Sequence, residues 1–455
     1  MSEPERPYKR LSPLTPLVRS FLLVVAVAAS TWDDLLRGDA GPIAWLLLGL
    51  LVAGAVYGAA SWLRTKYWIE ADELRVDTGV VSRQSRRIRV DRLQGIDISQ
   101  PFVARIFGLA ELKMDVAGGG AREGSLAFLP LREAQDLRTA LLARRDAVRA
   151  GETDRAEPAA ATDESVGSGP VVGAVAPPDR VLVSLDPAML VVSLLLSAEF
   201  GAFLVSTLVF AGLFVFFGQI VGGLAAAVPL LGGLAVTLFR KLSAYYRLTV
   251  SETPAGLQVR RGLFELDAQT IAVSRVQGVV VTEPLLWRRL GWAKVDVSLA
   301  GYTSGDRDGK PSTSTVMPVA PRATALWLAR RLLEEAGSPD PDAVPLTGPP
   351  QRARWVAPVR RRFQPSGLGE HLLVSREGVL GRRTHVVPYA RVQSLQVHQG
   401  PWQRRFDLAD LRVDSPPGPV RVRLRHRDAG EARRLLDRAN ESARRARSGQ
   451  LPGSV

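Results

Sequence analysis

The sequence of 455 residues contains no cysteine and only four histidines. The lack of cysteine excludes disulfides, cysteine nucleophiles and thiolate metal sites, and it fits a reducing compartment. The histidines, His371, His385, His398 and His426, lack the i,i+4 spacing with which a helix presents two metal ligands. The sequence also has no Walker phosphate-binding loop and no Gly-x-Ser-x-Gly nucleophile elbow. We therefore predict a protein that is not an enzyme and that holds no cofactor or metal.

Two long blocks, 17–63 and 187–240, are rich in apolar residues and poor in charge. Residues 43–63 carry no charge at all, and this length can cross ~30 Å of hydrocarbon at ~1.5 Å per residue. Between residues 189 and 239, Glu199 is the one ionisable side chain. Each block is long enough for a pair of spans, so the sequence predicts two transmembrane helical hairpins.

Lysine and arginine flank both blocks at their outer ends, whereas the short loops inside each pair carry almost none. By the positive-inside rule, both hairpins enter and leave on the cytoplasmic side. We therefore expect a multi-pass protein of the cytoplasmic membrane with both termini and all soluble segments in the cytoplasm. No small-residue cleavage site follows the first apolar run, so we expect no cleavable signal peptide.

One pattern, Arg-(Leu/Val)-Gln, occurs three times in the soluble segments. In each copy a glycine stands thirteen residues before the first arginine, and a second arginine stands thirteen residues after it. Such self-similarity predicts one domain used three times. The repeated arginines and glutamines are Arg92, Gln94, Arg105, Arg275, Gln277, Arg288, Arg391, Gln393 and Arg404.

Period-two alternation, as in residues 73–77 and 87–91, predicts half-buried strands in each repeat. The shared glycines Gly79, Gly262 and Gly378 predict hairpin turns that need an open backbone. Apolar stripes over 131–145, 323–336 and 429–447 predict a helix that closes each repeat. Each repeat is therefore predicted to be an α+β module of antiparallel strands and a terminal helix.

Composition sets the remaining boundaries. Stretches rich in Ala, Gly, Pro and Ser predict flexible linkers over 148–186 and 337–352. The predicted organisation is a cytoplasmic tail 1–16, hairpin 17–63, module 64–147, linker 148–186, hairpin 187–240, module 241–336, linker 337–352, module 353–447 and tail 448–455.

The repeats resemble the bacterial pleckstrin-homology-like (PH-like) module of YdbS/YdbT-type membrane proteins, in the larger three-module type. The matching features are the Arg-(Leu/Val)-Gln core, the proline that follows it, and the run Arg105, Phe107, Gly108, Leu109, Ala110. The third copy has Ser394 and Asp407 where this pattern has glycine.

The resemblance implies a multi-domain membrane protein with two transmembrane helical hairpins and three α+β PH-like modules. Each module is expected to be a split β-barrel of about seven strands with a C-terminal helix. The resemblance implies no known reaction, and it carries scattered links to envelope stress and to resistance against membrane-active peptides.

Two sets of candidate site residues remain open to two interpretations. The repeated arginines and glutamines are candidate ligand contacts, but such side chains can also bond backbone carbonyls at strand ends, and fold residues recur more readily than ligand residues. Glu199 is a candidate intramembrane polar site, because a carboxylate in an apolar run is costly. Asp186 and Pro187 predict a helix start that puts Glu199 about three turns in. Alternatively, the span begins near Glu199, or residues 187–199 lie along the interface.

Positive charge is concentrated in the third module. Residues 352–447 contain 22 arginines and no lysine against nine acidic residues. Near the cytoplasmic leaflet each cation can add about 1 kcal/mol of attraction to anionic lipid. Nucleic acid is the competing polyanion, but a tethered module meets headgroups at a higher local concentration. We predict membrane lipid and not nucleic acid as a partner; the alternative is a solvated surface in an arginine-rich proteome.

Together these observations predict a non-enzymatic integral membrane protein whose cytoplasmic PH-like modules act as a scaffold. The modules would bind a protein, a peptide or a lipid headgroup at the inner leaflet, with a protein partner or a homo-oligomer expected. The alternative is a component of a lipid or peptide transport or export system, in which the spans and Glu199 move the cargo. A membrane-bound enzyme is disfavoured because no catalytic constellation is visible.

Overall fold

The computed structural model describes most of the soluble segments and the second apolar block. The described residues are 9–10, 49, 52, 60, 63–70, 73–78, 84–116, 125–156, 180–217, 220–253, 256–300, 314–334, 340–415 and 418–448. The hairpin predicted over 17–63 therefore lies almost wholly outside the described residues. Contacts divide the chain into two compact units, one of residues 1–178 and 264–270, the other of residues 179–263 and 271–455.

The described chain is built from short antiparallel strands and nine α-helices. The strands are β1 (Lys9–Arg10), β2 (Lys66–Glu70), β3 (Glu73–Thr78), β4 (Gln84–Arg89), β5 (Leu93–Gln100), β6 (Leu109–Val116), β7 (Ser125–Pro130), β8 (Arg180–Ser184), β9 (Thr249–Thr253), β10 (Gly256–Arg261), β11 (Leu266–Ile271), β12 (Val276–Pro284), β13 (Trp292–Leu299), β14 (Thr315–Pro321), β15 (Ser366–Leu368), β16 (Leu372–Glu377), β17 (Gly381–Pro388), β18 (Ser394–His398), β19 (Leu408–Asp414) and β20 (Arg423–Asp428). The helices are α1 (Phe102–Ile106), α2 (Leu131–Ala156), α3 (Pro187–Leu195), α4 (Ala198–Phe216), α5 (Ile220–Tyr245), α6 (Leu285–Leu290), α7 (Arg322–Leu333), α8 (Pro401–Arg405) and α9 (Ala429–Arg447).

The first unit contains two antiparallel sheets with strand orders β1-β2-β3-β4 and β7-β6-β5-β11. Leu74, Ile88 and Leu112 from these strands are buried in one core with Ala134 and Leu141 of α2. The alternation of the strands and the apolar stripe of the helix both point to this core. Strand β1 lies within the stretch predicted as a tail, where it pairs with β2.

The second unit contains the remaining strands and the two other closing helices. Its sheets run β10-β9-β8, β14-β13-β12-β17-β16-β15 and β18-β19-β20. Helix α7 buries Ala325, Leu328 and Leu332 in one core, and α9 buries Ala439 and Ala443 in another. The prediction of several α+β modules, each ending in a helix, is confirmed.

The motif arginine occupies the same local structure in all three repeats. Arg92, Arg275 and Arg391 are each the last residue of a three-residue 3-10 turn that leads into the motif strand. Two of the three shared glycines are described, Gly262 and Gly378, with φ of 117° and 113°. A Cβ atom on Gly378 would lie 1.8 Å from the Gly381 carbonyl oxygen, so only glycine fits this turn.

Successive repeats are joined through their strands at two places. We call these pairings the first joint (β5 with β11, inside the first unit) and the second joint (β12 with β17, inside the second unit). In the first, Gln100 lies opposite Leu266; in the second, Glu283 lies opposite Arg382. In both, a residue six positions after the motif glutamine meets a residue eleven positions before the next motif glutamine. The two joints therefore share one register.

The second apolar block forms three helices, α3, α4 and α5. The predicted helix start at Asp186 is confirmed, because its carboxylate accepts a hydrogen bond from the Ala188 N–H at 2.9 Å. Helix α3 ends at Leu195, so Glu199 lies in the first turn of α4 and not three turns inside a helix. Among the described residues, α3 and residues Ala198–Phe214 together have the length and composition of a span but bend by 42°, and no one helix meets both criteria alone. The two membrane hairpins stay predictions.

Parts of both predicted linkers have regular structure. Helix α2 continues to Ala156 and β8 forms at 180–184, where it pairs with β9. In the second linker, Thr347 makes a bridge with Ser366. The buried guanidinium of Arg427 donates hydrogen bonds to the Thr347 hydroxyl and carbonyl, both at 2.7 Å. The composition of this linker did not reveal that a distant arginine holds it.

Candidate anion-binding cleft

The second joint places a polar strand surface beside a basic segment. Alternate residues of β12 and β17 face opposite sides, and the cross-strand pairs Val280–His385 and Thr282–Arg383 share one side. On the other side Val279 and Val281 are buried in the core, and the Glu283–Arg382 pair lies at the end of the same row. The same periodicity that builds the core therefore directs Arg383 and His385 into a separate space.

That space is a cavity of about 400 Å³, which we call the cleft. It is within the size range of small-ligand pockets. Strands β12, β13, β16 and β17 and the segment 418–425 form its walls. Five cationic side chains and two acidic ones line it: Lys294, Arg383, Arg421, Arg423, Arg425, Asp296 and Glu377.

Only part of this positive charge is neutralised locally. Lys294 Nζ lies 2.9 Å from Asp296 Oδ1, and Arg425 Nη2 lies 3.4 Å from Glu377 Oε2. Within the described part of the chain, Arg383, Arg421 and Arg423 form no ion pair with a carboxylate. The cleft therefore presents three guanidinium groups to an incoming anion, and guanidinium is the side-chain group best matched to phosphate or carboxylate.

His385 is a buried residue in the wall of the cleft. Its Nδ1 accepts a hydrogen bond from the Arg421 backbone N–H at 3.2 Å, so we assign the neutral ring's proton to Nε2. Nε2 lies 3.4 Å from Glu377 Oε1. The contact with His385, followed by the charges of Arg425 and Arg383, lowers the pKa of Glu377 below its usual value. Glu377 therefore stays ionised at neutral pH and lies within 3.4 Å of both His385 Nε2 and Arg425 Nη2.

The basic segment is fixed to β13 by a close backbone approach. A Cβ atom on Gly418 would lie 2.1 Å from Ser298 Oγ, so this position has room only for glycine. The buried Ser298 hydroxyl also accepts a hydrogen bond from the Val420 N–H at 3.2 Å. These contacts set the path of the chain into Arg421 and Arg423.

An ion-pair cluster supports the joint beside the cleft. Buried Glu283 pairs with Arg382 across the joint, and Arg322 Nε donates to Glu283 Oε1 at 2.9 Å. Arg322 also donates to Asp342 at 3.0 Å. Burial acts to raise the pKa of Glu283, but the hydrogen bonds and charges of Arg382 and Arg322 outweigh it and leave that pKa lowered. Glu283 is thus ionised and doubly paired.

The repeated motif residues lie outside the cleft. Arg275 Nη2 donates to the Ala300 carbonyl at 2.6 Å, and Gln277 Nε2 donates to the Arg275 carbonyl at 3.3 Å. Arg92, Arg105, Arg288, Gln393 and Arg404 are exposed, Arg391 is half-buried, and the side chain of Gln94 lies outside the described part. The contacts of Arg275 and Gln277 are of the structural kind, and a ligand role for the motif stays a prediction.

Glu199 is paired rather than isolated. Its carboxylate forms an ion pair with Lys241 near the end of α5, and both side chains are substantially exposed. An intramembrane role for Glu199 stays a prediction. Among the described residues, no group of three or more His, Asp or Glu side chains is arranged to hold a metal ion.

Comparison with known proteins agrees with the threefold pattern. A family model described as the bacterial PH domain matches residues 20–145, 195–336 and 350–443, well over half of the chain. The chain belongs to the bacterial PH domain family. The resemblance inferred from the Arg-(Leu/Val)-Gln repeats is thereby confirmed, and each PH domain match contains one copy of the motif.

The chain is also similar to YdbT of Bacillus subtilis (strain 168), which is described as a UPF0699 transmembrane protein. It is 26% identical over 295 residues, which cover 59% of this chain and 55% of YdbT. This PH domain chain thus spans about half the length of that relative.

Sequence reasoning missed the cleft residues because their signal is spread over the chain. Arg421, Arg423 and Arg425 alternate with apolar residues, a visible strand pattern, but Lys294 and Asp296 come from another repeat. The burial of Arg427 was not predicted because of a local change in the backbone. His426 has φ of 52°, which reverses the alternation and turns Arg427 inward.

Proposed function

We propose that this protein is a membrane-anchored, non-enzymatic scaffold whose cleft between the second and third PH domains binds the phosphate of an anionic lipid headgroup at the inner leaflet. The observation that carries the proposal is the set of three guanidinium groups, Arg383, Arg421 and Arg423, that line one cavity without an ion pair. A phosphate group carries the negative charge that would pair with these guanidinium groups.

Membrane attachment is part of the same proposal. Several side chains of α4 are apolar and expose about half or more of their surface: Leu204 (48%), Val205 (61%), Leu208 (63%) and Val209 (62%). So large an apolar surface on one helix is costly in water and favourable in lipid. The relative YdbT carries the description transmembrane protein, which supports the same anchoring. We propose two hairpins over 17–63 and 187–240 with the PH domains in the cytoplasm.

The excess charge of the third domain favours lipid as the source of the phosphate. An excess of 13 positive charges over residues 352–447 attracts an anionic leaflet over roughly a Debye length. The charges of the cleft would then select the headgroup after this general attraction has brought the domain to the surface. A role in envelope stress or in resistance to membrane-active peptides is compatible with a headgroup-binding scaffold.

Transport of lipid or peptide is the second function considered for this chain. It would rely on Glu199 as a polar contact inside a helix bundle. The ion pair with Lys241 supports a different role, in which Glu199 ties α4 to α5. The scaffold is therefore the proposed function.

The test uses the detergent-solubilised full chain and short-chain phosphatidylglycerol below its micelle concentration. We expect thermal stabilisation by phosphatidylglycerol, weaker stabilisation by phosphatidylcholine of the same chain length, and competition by inorganic phosphate only at much higher concentration. Equal stabilisation by inorganic phosphate and phosphatidylglycerol would assign the cleft to free phosphate instead of lipid.

The variant Arg383→Ala/Arg421→Ala/Arg423→Ala should bind phosphatidylglycerol on the order of a hundredfold more weakly, because three cations at about 1 kcal/mol each contribute about 3 kcal/mol. The matched control is Arg405→Ala/Arg433→Ala/Arg444→Ala, which removes three exposed arginines of the same domain away from the cleft. If both triple variants lose the same affinity, general charge and not the cleft binds the lipid, and the proposal is wrong.

A further inference from the structure

The outer edge of β18 is open where the equivalent edges in the other repeats are covered. The motif strands β5 and β12 pair on one side with the next strand of their own repeat and on the other with a strand of the following repeat. Within the described residues, β18 pairs only with β19. Ser394, Gln396 and His398 are exposed. Among the described strands, this kind of edge is thus covered twice and has no partner strand the third time.

The side chains of β18 include none of those that keep sheet edges apart. Natural edges are blunted by lysine, proline, bulges or inward-pointing charges. Strand β18 contains no Lys, Arg, Pro, Asp or Glu. Its five residues pair with β19 without a shift in register. By contrast β4, at the edge of its own sheet in the first unit, carries Arg86, Arg87 and Arg89.

We infer that β18 is a dimerisation strand that pairs antiparallel with β18 of a second copy of this chain. A two-fold axis at Gln396 places Leu395 opposite Val397 and Ser394 opposite His398 of the other copy. Apolar side chains then meet apolar ones on the half-buried face, and polar ones meet polar ones on the exposed face. A strand that complements itself in this way gives a closed, symmetric dimer, the commonest form of homo-oligomer.

The competing occupant within the same chain is β4 of another copy, which would continue the series of joints. The register shared by the two joints would place Arg87 opposite Leu395, where the second joint has Val386 opposite Val279. In the two-fold pairing Leu395 meets Val397, whereas in the head-to-tail pairing it meets Arg87, so the side-chain pairing favours the two-fold arrangement. This inference is independent of the lipid proposal.

The absence of cysteine makes a direct test possible, since one introduced thiol is then the only one. Directly opposed residues of an antiparallel pair have Cα atoms about 4.5–5.5 Å apart, which is within disulfide range. We expect detergent-solubilised Gln396→Cys to form a covalent dimer under mild oxidation and to revert with reductant. The control Arg412→Cys, one strand further in on β19, should stay monomeric.

A second experiment measures the dimer without a crosslink. Light scattering of the wild-type chain at micromolar concentration should give the mass of a dimer. Gln396→Lys places two lysines opposite each other and should weaken dimerisation by about tenfold or more. Because loss of a partner subunit itself lowers thermal stability, the folding control is the far-ultraviolet circular dichroism spectrum. That spectrum should match the wild type, since Gln396 is exposed and its hydrogen bond to Asp414 lies at the surface. A monomeric wild type, an unchanged Gln396→Lys dimer, or a ladder of higher oligomers from Ser85→Cys/Val397→Cys without a Gln396→Cys dimer would overturn the inference.

Discussion

Glu283 of β12 and Arg382 of β17 face each other across the second joint and form an ion pair in which the carboxylate is almost completely buried. At the same register, the first joint has Gln100 opposite Leu266. The backbone pairing is therefore common to both joints, whereas the ion pair is an addition to one of them. The Glu283–Arg382 ion pair bears on the cleft because the two strands that it joins, β12 and β17, form part of the cleft wall.

Glu283→Gln is expected to lower the free energy of unfolding of the second unit by about 2 kcal/mol. Breaking a fully buried pair costs about 3–5 kcal/mol, and the partial exposure of Arg382 and Arg322 reduces that figure. Chemical denaturation measures the loss. Arg330→Gln is the control, since its pair with Asp340 is exposed and should be worth under about 1 kcal/mol. Equal losses for both variants would contradict the importance assigned to the buried pair.

The same variant should change the acid sensitivity of the protein. Because the pKa of Glu283 is lowered in the folded state, its contribution to folding stability is present above the unfolded pKa of ~4.3 and is lost as pH falls through the folded pKa. As the pH falls below the unfolded pKa of Glu283, the stability advantage of wild type over Glu283→Gln should therefore shrink. Parallel stability curves for the two proteins would show that the carboxylate is not held ionised as described.

Arg427→Leu is expected to release the segment around Thr347. Arg427 donates to Thr347 and to the Ser366 carbonyl and hydroxyl, at 2.6 and 2.7 Å in the latter two. The first repeat has Leu129 two residues before its closing helix, where the third has Arg427, so the new side chain suits the local backbone. Leaving buried acceptors unpaired costs about 1–3 kcal/mol. Limited proteolysis should cut near 340–350 faster, whereas exposed Arg433→Leu should cleave as wild type; equal cutting rates would contradict this.

Asp97→Asn is expected to flatten the pH dependence of the first unit. The Thr270 N–H donates to Asp97 Oδ1 at 3.0 Å across the first joint, and burial, followed by the charge of Asp267, raises the pKa of Asp97 to about 7. Between pH ~4 and ~7 the folded protein holds a proton that the unfolded chain releases, so stability falls as pH rises and is level above that range.

Asparagine keeps the acceptor oxygen and removes the titration. The Asp97 side chain is buried enough to raise its pKa but is not fully enclosed, so only part of the full shift counts toward stability. We expect the free energy of unfolding of Asp97→Asn to exceed that of wild type at pH ~8 by on the order of 1–2 kcal/mol. Thermal denaturation across pH 5–8 checks this, with exposed Asp136→Asn as the control. A variant that keeps the wild-type slope would show that Asp97 does not titrate in this window.

Gly418→Ala is expected to weaken lipid binding without touching any arginine. The new Cβ would overlap Ser298, so the segment that carries Arg421 and Arg423 must move. The stabilisation by short-chain phosphatidylglycerol should fall at least several-fold, and Ser298→Gly in the same chain should restore part of it. Gly400→Ala is the matched control, because its nearest neighbour would be 3.7 Å away. Unchanged binding in Gly418→Ala would mean that the position of this segment is irrelevant to the ligand.

Local features of the fold could be predicted from the sequence, and long-range ones could not. The helix predicted over 429–447 has those bounds in the structure because an apolar stripe coincides with an N-cap at Asp428, whose carboxylate accepts from the Gly430 N–H. The helix predicted over 131–145 continues to Ala156, since residues 146–156 lack proline and extend it without an apolar stripe.

The joints and the cleft depend on partners that no local pattern specifies. Val280 and His385 are adjacent only because β12 and β17 pair. The sequence marks Gln277 as a repeated residue, but its side chain donates a hydrogen bond to the neighbouring Arg275 carbonyl. Nothing in the sequence distinguishes Arg421 from the many other arginines of the third repeat. Repetition marks what every copy needs in order to fold, and the cleft is made by residues in which the copies differ.

The first joint has a consequence for how the chain is made. Ser99 and Glu265, which share a hydrogen bond there, are 166 residues apart. At a synthesis rate of roughly 5–20 residues per second, a ribosome needs on the order of ten to thirty seconds to deliver β11 after β5 has emerged. During that interval the edge of β5 that will pair with β11 is unpaired and open to association with other chains. A nascent-chain chaperone or rapid insertion into the membrane would protect this edge until β11 is synthesised.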